Sequence, residues 1–378
     1  MEDFASSKSA WKEPRLVAKS DKIARPDQDN PLDASEYLDD EDTLQSKVKA
    51  VGILLRRSKL CLCYTGAGIS KSSGIADYAT KATSSVARPE IKLKDPGEAQ
   101  PTPAHDALAS LYRAGFVKEF INQNHDGLFE KAGVSVRHSN LIHGDWFDLS
   151  NPVVQYDEDL RSDLYKRLLK CEKMADLVLV AGTSLSGMNA DRVAYTCAGK
   201  YMRGAKGILG TVLVNLQKTD LDKECTVRVW CKTDDFFTML AKEMDIEVTS
   251  VRPAVLDGNI FHVPYDENGR LLNRETDKRL QILDLSPGAH VKVIHPGANN
   301  FGKVFVVLAE RDIEGNYLFN PFNPKTKKQR TTKSGWTLGR WFVLAFINGE
   351  LEQLPCVNEN PTFISSDEAF SEVKKLYQ

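Results

Sequence analysis

No two cysteines of this 378-residue chain stand in Cys-x-x-Cys spacing. The seven cysteines, at 61, 63, 171, 197, 225, 231 and 356, are odd in number and irregular in spacing. That excludes a zinc ribbon and argues against the disulfide framework of a small secreted domain. No metal ligand set is read, and the fold is expected to survive chelators. No apolar run is long enough to span a membrane, and no apolar core of a secretory signal opens the chain. Residues 1–25 are mildly basic, but Glu2, Asp3, Glu13 and Asp21 are unlike a transit peptide. A solvated tail is expected, in an intracellular, reducing compartment. The net charge of -2 gives no global attraction to nucleic acid or to an acidic membrane, so neither is expected as a partner. No internal repeat is found.

Hydrophobic residues make up 42% of the chain, enough for a sizeable core, and the length suits two domains. Residues 1–40 are polar, with Pro14, Pro26 and Pro31, and read as a tail or wrapping arm. Asp39 to Arg57 carries acids first and Arg56-Arg57 last, as the helix dipole favours. Leu60–Tyr64, Leu177–Ala181 and Val212–Asn215 are short continuous apolar runs, the pattern of buried parallel strands, and Phe116–Ile121 is a weaker one. Helical patterns at Ala104–Ala114 and Leu160–Ala175 alternate with them. The order implies a doubly wound, Rossmann-like α/β sheet over 41–250.

Beyond residue 250 the pattern changes. Ala289–Ile294, Gly302–Ala309, Asn316–Phe319 and Trp341–Phe346 are strand candidates, and Asn348-Gly349 is a hairpin signal. A small antiparallel, SH3-like or Tudor-like domain is expected over 251–360. A C-terminal helix is expected over 361–378, opened by Ser365-x-x-Glu368, with Phe370, Val373 and Tyr377 on one side. Lys325, Lys327, Lys328, Arg330 and Lys333 cluster near a loop and read as a solvated face. The second domain is expected to carry a protein partner.

Gly66-Ala67-Gly68 follows the first strand. Glycines there let backbone N–H groups approach a pyrophosphate at a helix start. Alone the motif is weak. The ordered series is more specific: Tyr64-Thr-Gly-Ala-Gly-Ile-Ser70, Asp77-Tyr78, Gln123-Asn-His-Asp126, His143-Gly144, Gly182-Thr-Ser184 and Val214-Asn-Leu-Gln217. From about residue 40 to 248 the chain resembles the sirtuins, most of all their class IV branch.

The resemblance implies a reduced small domain and NAD as cofactor. It places Gly66, Ala67, Gly68, Gly182, Thr183 and Ser184 at the phosphates and ribose, with Asp77 and Tyr78 beside the cofactor. Gln123 and Asn124 would hold the nicotinamide ribose and Asp126 the carboxamide. Asn215 and Leu216 would meet the adenosine ribose. His143, with Asn124, would be catalytic: a histidine near neutrality can take a ribose hydroxyl proton. The implied activity is NAD-dependent deacylation of an acylated protein lysine. ADP-ribosyl transfer or NAD hydrolysis, and a degenerate binding protein, are the alternatives.

The chain departs from the family pattern at four places. Ala79 replaces an arginine. The four-cysteine zinc module after His143 is missing. Tyr156-Asp157-Glu158 and Ser186–Ala190 differ in the two peptide-clamping segments. Cys231 replaces a glycine. His125 takes the place of a small apolar residue, while His105 and His138 are expected to serve packing or the surface.

Overall fold

The structure is a computed structural model. It describes residues 11–24, 32–77, 80–87, 94, 97–154, 158–186, 189–323, 328–329, 336–366 and 368–369. The chain opens with an antiparallel pair, β1 (Arg15–Ala18) and β2 (Glu36–Leu38). Helix α1 (Glu41–Arg57) follows, capped by Asp40, whose carboxylate accepts from the Thr43 N–H at 3.2 Å.

Six strands then form one parallel sheet: β3 (Cys61–Thr65), β4 (Val117–Asn122), β5 (Ser139–Leu141), β6 (Leu177–Ala181), β7 (Gly210–Val214) and β8 (Val227–Val229). Their order is β5-β4-β3-β6-β7-β8. That is the doubly wound order, with its reversal point between β3 and β6. Alternate residues of β3 enter two cores. Cys61 and Cys63 face α1, α2 (Pro103–Arg113) and α6 (Thr233–Glu243), while Leu62 and Tyr64 face α4 (Ser162–Met174) and α5 (Arg192–Met202). The four-residue helix α3 (Leu128–Lys131) sits on the loop after β4. Each apolar strand residue is buried on one side or the other, which is why the runs lack polar alternation.

The N-terminal arm lies against this sheet. Glu36 bridges to Gln217, the Tyr37 N–H donates to the Leu216 carbonyl at 2.9 Å, and buried Asp39 pairs with Lys47 at 2.7 Å.

The second half holds two antiparallel sheets. One is ordered β17-β10-β9, from β9 (Ile260–Val263), β10 (Arg279–Asp284) and β17 (Thr362–Ser365). The other is β14-β13-β12-β11-β16, with β15 against β13. Its strands are β11 (His290–Val293), β12 (Val304–Arg311), β13 (Tyr317–Asn323), β14 (Lys328–Gln329), β15 (Trp336–Leu338) and β16 (Cys356–Asn358).

One strand expectation fails. Trp341–Phe346 lies in a helix, α7 (Arg340–Asn348), and Gly349 closes that helix in the left-handed region instead of turning a hairpin. Trp341, Phe342, Val343, Ala345 and Phe346 are all buried there. A run apolar on every side has no period, so it does not distinguish strand from helix. At the C-terminus, β17 takes Thr362–Ser365, ahead of the expected helix. Ser365 and Glu368 still exchange the bonds of a capping box, with the Ser365 N–H donating to Glu368 Oε2 at 3.0 Å and the Glu368 N–H to Ser365 Oγ at 3.2 Å. Phe370, Val373 and Tyr377 lie outside the described residues, as does the basic cluster from Lys325 to Lys333, save the backbone of Lys328. Among the described residues no helix is long and apolar enough to cross a membrane.

Candidate active site

The turns after β3 and β6 meet at the reversal point of the sheet. The Gly66 N–H donates to the Ala181 carbonyl at 3.1 Å, and the Gly68 N–H to the Gly182 carbonyl at 2.8 Å. A Cβ on Gly68 would lie 2.8 Å from Gly182 Cα, and one on Gly182 would lie 2.5 Å from the Ile69 nitrogen. Gly182 also has φ +63. The glycines thus serve first the close approach of the two turns to each other, and their N–H groups are engaged within the protein.

Beside these turns is a cavity of about 270 Å³. Gly68, Asp77, Gly182, Thr183, Ser184, Asn215 and Leu216 line it, so seven predicted residues converge. Its acids are largely engaged. Asp77 pairs with Lys71 at 3.1 Å. Asp234 accepts from the Ala104 N–H and the Ser72 hydroxyl, and Glu36 accepts from the Ser85 hydroxyl and the Val86 N–H. A larger cavity, about 600 Å³, separates α4 and β5 from the second domain. It holds none of the predicted residues, and its charges pair off, Arg161 with Asp163 and Arg167 with Glu119.

Gln123, Asn124, Asp126 and His143 are outside the lining of the smaller cavity and stand on the loops after β4 and β5. Gln123 reaches across to it, donating from Nε2 to the Thr183 hydroxyl at 3.0 Å. Asn124 is held by its own N–H, which donates to Asn122 Oδ1 at 3.0 Å. Its Nδ2 donates to the Gly66 carbonyl and to Ser70 Oγ, both at 3.1 Å. The Ser70 hydroxyl donates to Asp126 Oδ2 at 2.6 Å. The helical turn after the glycines is therefore bonded to two predicted residues through Ser70.

His143 is buried, and its Nε2 has no hydrogen-bond partner. Burial pulls its pKa down to about 4; the nearby His125 adds to this and the Gln123 carbonyl opposes it. The ring is neutral at physiological pH, with an open acceptor. His125 donates from Nδ1 to the Gly144 carbonyl at 3.0 Å, and burial lowers its pKa too. Gly144 has φ +91, and a Cβ there would lie 2.4 Å from the Pro152 carbonyl oxygen. We predict that Gly144→Ala costs roughly 3 kcal/mol or more, from about 1–3 for the strained backbone and a similar overpacking term. Urea unfolding of the variant measures this; an unchanged midpoint contradicts it.

No protein-family model matches the chain. Curated proteins do. The Arabidopsis thaliana protein named NAD-dependent protein deacetylase SRT1 is 28% identical over 255 residues, 57% of this chain and 52% of that protein. The Drosophila melanogaster NAD-dependent protein deacetylase Sirt6 is 23% identical over 281 residues, 61% of this chain and 85% of its own. A Pyrococcus furiosus NAD-dependent protein deacylase is 32% identical over 157 residues, 34% of this chain and 61% of its own. Over these spans the chain is similar to sirtuins. It spans about half the length, 52%, of the first of these relatives. A solved structure of Sir2 bound to acetylated peptide is 22% identical, covers 53% of this chain and 99% of that one, and has a TM-score of 0.43.

Several positions of the sirtuin resemblance fall outside the described residues: Tyr78, Ala79, Tyr156, Asp157, Gly187 and Met188. His105 is a packing residue, buried, its Nδ1 2.8 Å from the Thr102 hydroxyl and its ring 4.6 Å from that of Phe129. His138 pairs with Glu119 at 3.1 Å near the surface. Two contributors escaped the sequence reading. Ser70 stood in the quoted motif with no role, though its place one helical turn past Gly66 is the signal that finds it. Glu36 lines the cavity from the N-terminal arm, and nothing local in the sequence marks it.

Proposed function

We propose that this protein is a sirtuin and an NAD-dependent protein-lysine deacylase. The observation that carries the reading is His143, a buried neutral imidazole with an unpartnered Nε2 beside the Gln123–Asp126 loop. The names of the curated relatives agree with it.

The residues present suit a dinucleotide. Two glycine turns meet at the sheet's reversal point, a cavity opens beside them, and an unpaired buried base stands on the next loop. NAD would supply a ribose carbon that takes up an acyl-lysine oxygen as nicotinamide leaves. Ala67, Thr183 and Ser184 would hold its phosphates, with Gly66 and Gly68 shaping the turn beside them, Asp77 and Tyr78 would flank it, and Asn215 and Leu216 would hold the adenosine ribose. Asn124, fixed by Ser70 and the Gly66 carbonyl, would orient the nicotinamide ribose together with Gln123. Asp126 would take the carboxamide. His143 would accept a ribose hydroxyl proton at Nε2, and the surrounding burial keeps that nitrogen free of a competing proton.

The test has two arms. NAD at about 100 times its dissociation constant should stabilise the protein by about 2.7 kcal/mol, a rise of several degrees in melting temperature. With an acetyl-lysine peptide, nicotinamide and acyl-ADP-ribose should appear together. Free ADP-ribose or ADP-ribosylated protein without acyl-ADP-ribose would replace this reading with NAD hydrolysis or ADP-ribosyl transfer. No melting shift at any NAD concentration would leave a binding protein without the cofactor.

A further inference from the structure

We propose that the C-terminal β-rich domain is the positioning module for the His143 loop, and that Trp341 is the residue through which it acts. The proposal rests on the deacylase reading for its kinetic consequence only.

Residues 144–151 have no helix or strand of their own. A loop that must hold a dry base needs support from elsewhere. That support comes from the second domain. Leu141, Phe147 and Leu149 belong to one apolar cluster with Val291, Phe305 and Trp341. Two bonds pin the loop backbone directly. The Gly339 N–H donates to the Phe147 carbonyl at 2.9 Å, and Asn300 Nδ2 donates to the Leu149 carbonyl at 2.8 Å.

Trp341 touches both loops of the site. Its ring centroid is 5.1 Å from that of Phe147, in an edge-on arrangement. Its Cζ2 lies 2.9 Å from where a Cβ on Gly127 would be, so the indole abuts the backbone just after Asp126. Buried Lys131 completes the joint. Its ammonium is 5.1 Å from the Phe147 ring and 5.8 Å from that of Trp341, and it pairs with Glu314 of the second domain at 3.0 Å. An aromatic ring wedged between two loops fixes their separation and keeps water out. The geometry thus ties the seating of His143 to a side chain two hundred positions away, on the scale of the Ser135–Glu350 contact, which spans 215 residues.

The groups around His143 are few. His125 and the Gln123 carbonyl act on it directly. Asp126 is tied to Ser70, and Asp145 stands on its own loop beside Glu130 of α3. Loosening the loop admits water, which relieves the burial that dominates. The imidazole then returns toward its ordinary value of about 6.5.

Histidine NMR titration of the full chain tests this without relying on turnover. In the unaltered protein His143 should show no titration between pH 5 and 8. In Trp341→Ala its midpoint should rise by about one pH unit or more, into that window. Deacylation kcat/KM should fall about tenfold or more, with a smaller change in the KM for NAD. Trp341→Phe should restore both. The indole N–H has no hydrogen-bond partner, so this change removes none. Asn300→Ala, a milder cut at the same joint, should move the midpoint the same way by less, and it serves if Trp341→Ala does not fold. With the titrations carried down to pH 3, a folded Trp341→Ala protein whose His143 midpoint rises by less than about half a pH unit, or a folded Asn300→Ala protein whose midpoint does not rise at all, overturns the proposal. An unaltered protein that makes no acyl-ADP-ribose overturns the deacylase reading and leaves the titration result standing on its own.

Discussion

His143→Ala should lower kcat/KM for an acetyl-lysine peptide by about 10²- to 10⁴-fold, the usual contribution of a general base. The melting shift given by NAD should persist, because His143 lies outside the lining of the cavity at the glycine turns. The pH profile of the unaltered protein carries the more particular expectation. A base with an ordinary histidine pKa would impose an acid limb near 6.5. His143 is held at about 4 by burial, so it stays in its basic form across the physiological range. The acid limb that it imposes on kcat/KM should therefore lie below pH 5. The linkage to stability has the matching sign. The folded value is depressed, so the unfolded chain binds the extra proton between about 6.5 and 4. The stability contributed is complete above 6.5 and is lost as pH falls through that interval. A limb at 6.5, or undiminished turnover in His143→Ala, would exclude this histidine as the base.

The second large effect concerns the acids beneath the same loop. Neither oxygen of buried Glu130 has a hydrogen-bond partner, and nor has Asp145 Oδ2. The Ser139 hydroxyl lies beside Glu130 but out of bonding geometry. Burial raises both pKa values, Glu130 to about 7; the Glu130 carboxyl adds to the rise at Asp145, and Asp126 and Asp148 add to that at Glu130. The folded state holds protons that the unfolded chain releases. This stability is full below the ordinary carboxylate range near 4 and is lost as pH rises toward the folded values. Glu130→Gln removes the charge and offers an amide donor to Asp145. It should stabilise the protein by about 1–3 kcal/mol at pH 8, with the gain shrinking toward zero at pH 5. Urea unfolding at both values is the measurement. An equal change at pH 5 and 8 would mean that the effect is packing and that no proton is involved.

The centre of the parallel sheet was legible because β3 and β6 are five-residue, mostly apolar runs that end in glycine turns. Leu60–Tyr64 and Leu177–Ala181 have no polar alternation, since both faces are covered, and few other environments tolerate that. The helix α7 was not legible for the same reason turned around. Its residues are apolar on all sides because they fill the centre of the second domain, so burial erased the periodicity that would have revealed a helix. The site divides in a similar way. Gly68, Gly182, Thr183 and Asn215 converge as the order of motifs implies, because they follow consecutive strands of one sheet. The depressed pKa of His143, the wall supplied by Glu36 and the wedge of Trp341 all depend on contacts far apart along the chain. No window of sequence contains them.

The sharing of Leu141, Phe147 and Leu149 with the second domain also sets an order in time. During synthesis, the β-rich half emerges well after the loop that it covers. Until Trp341 and its neighbours leave the ribosome, that loop has nothing to pack on and its apolar side chains face water. Chains that stop early would be left with an exposed hydrophobic patch in the middle of an otherwise formed sheet, the kind of surface that draws chaperones and proteases.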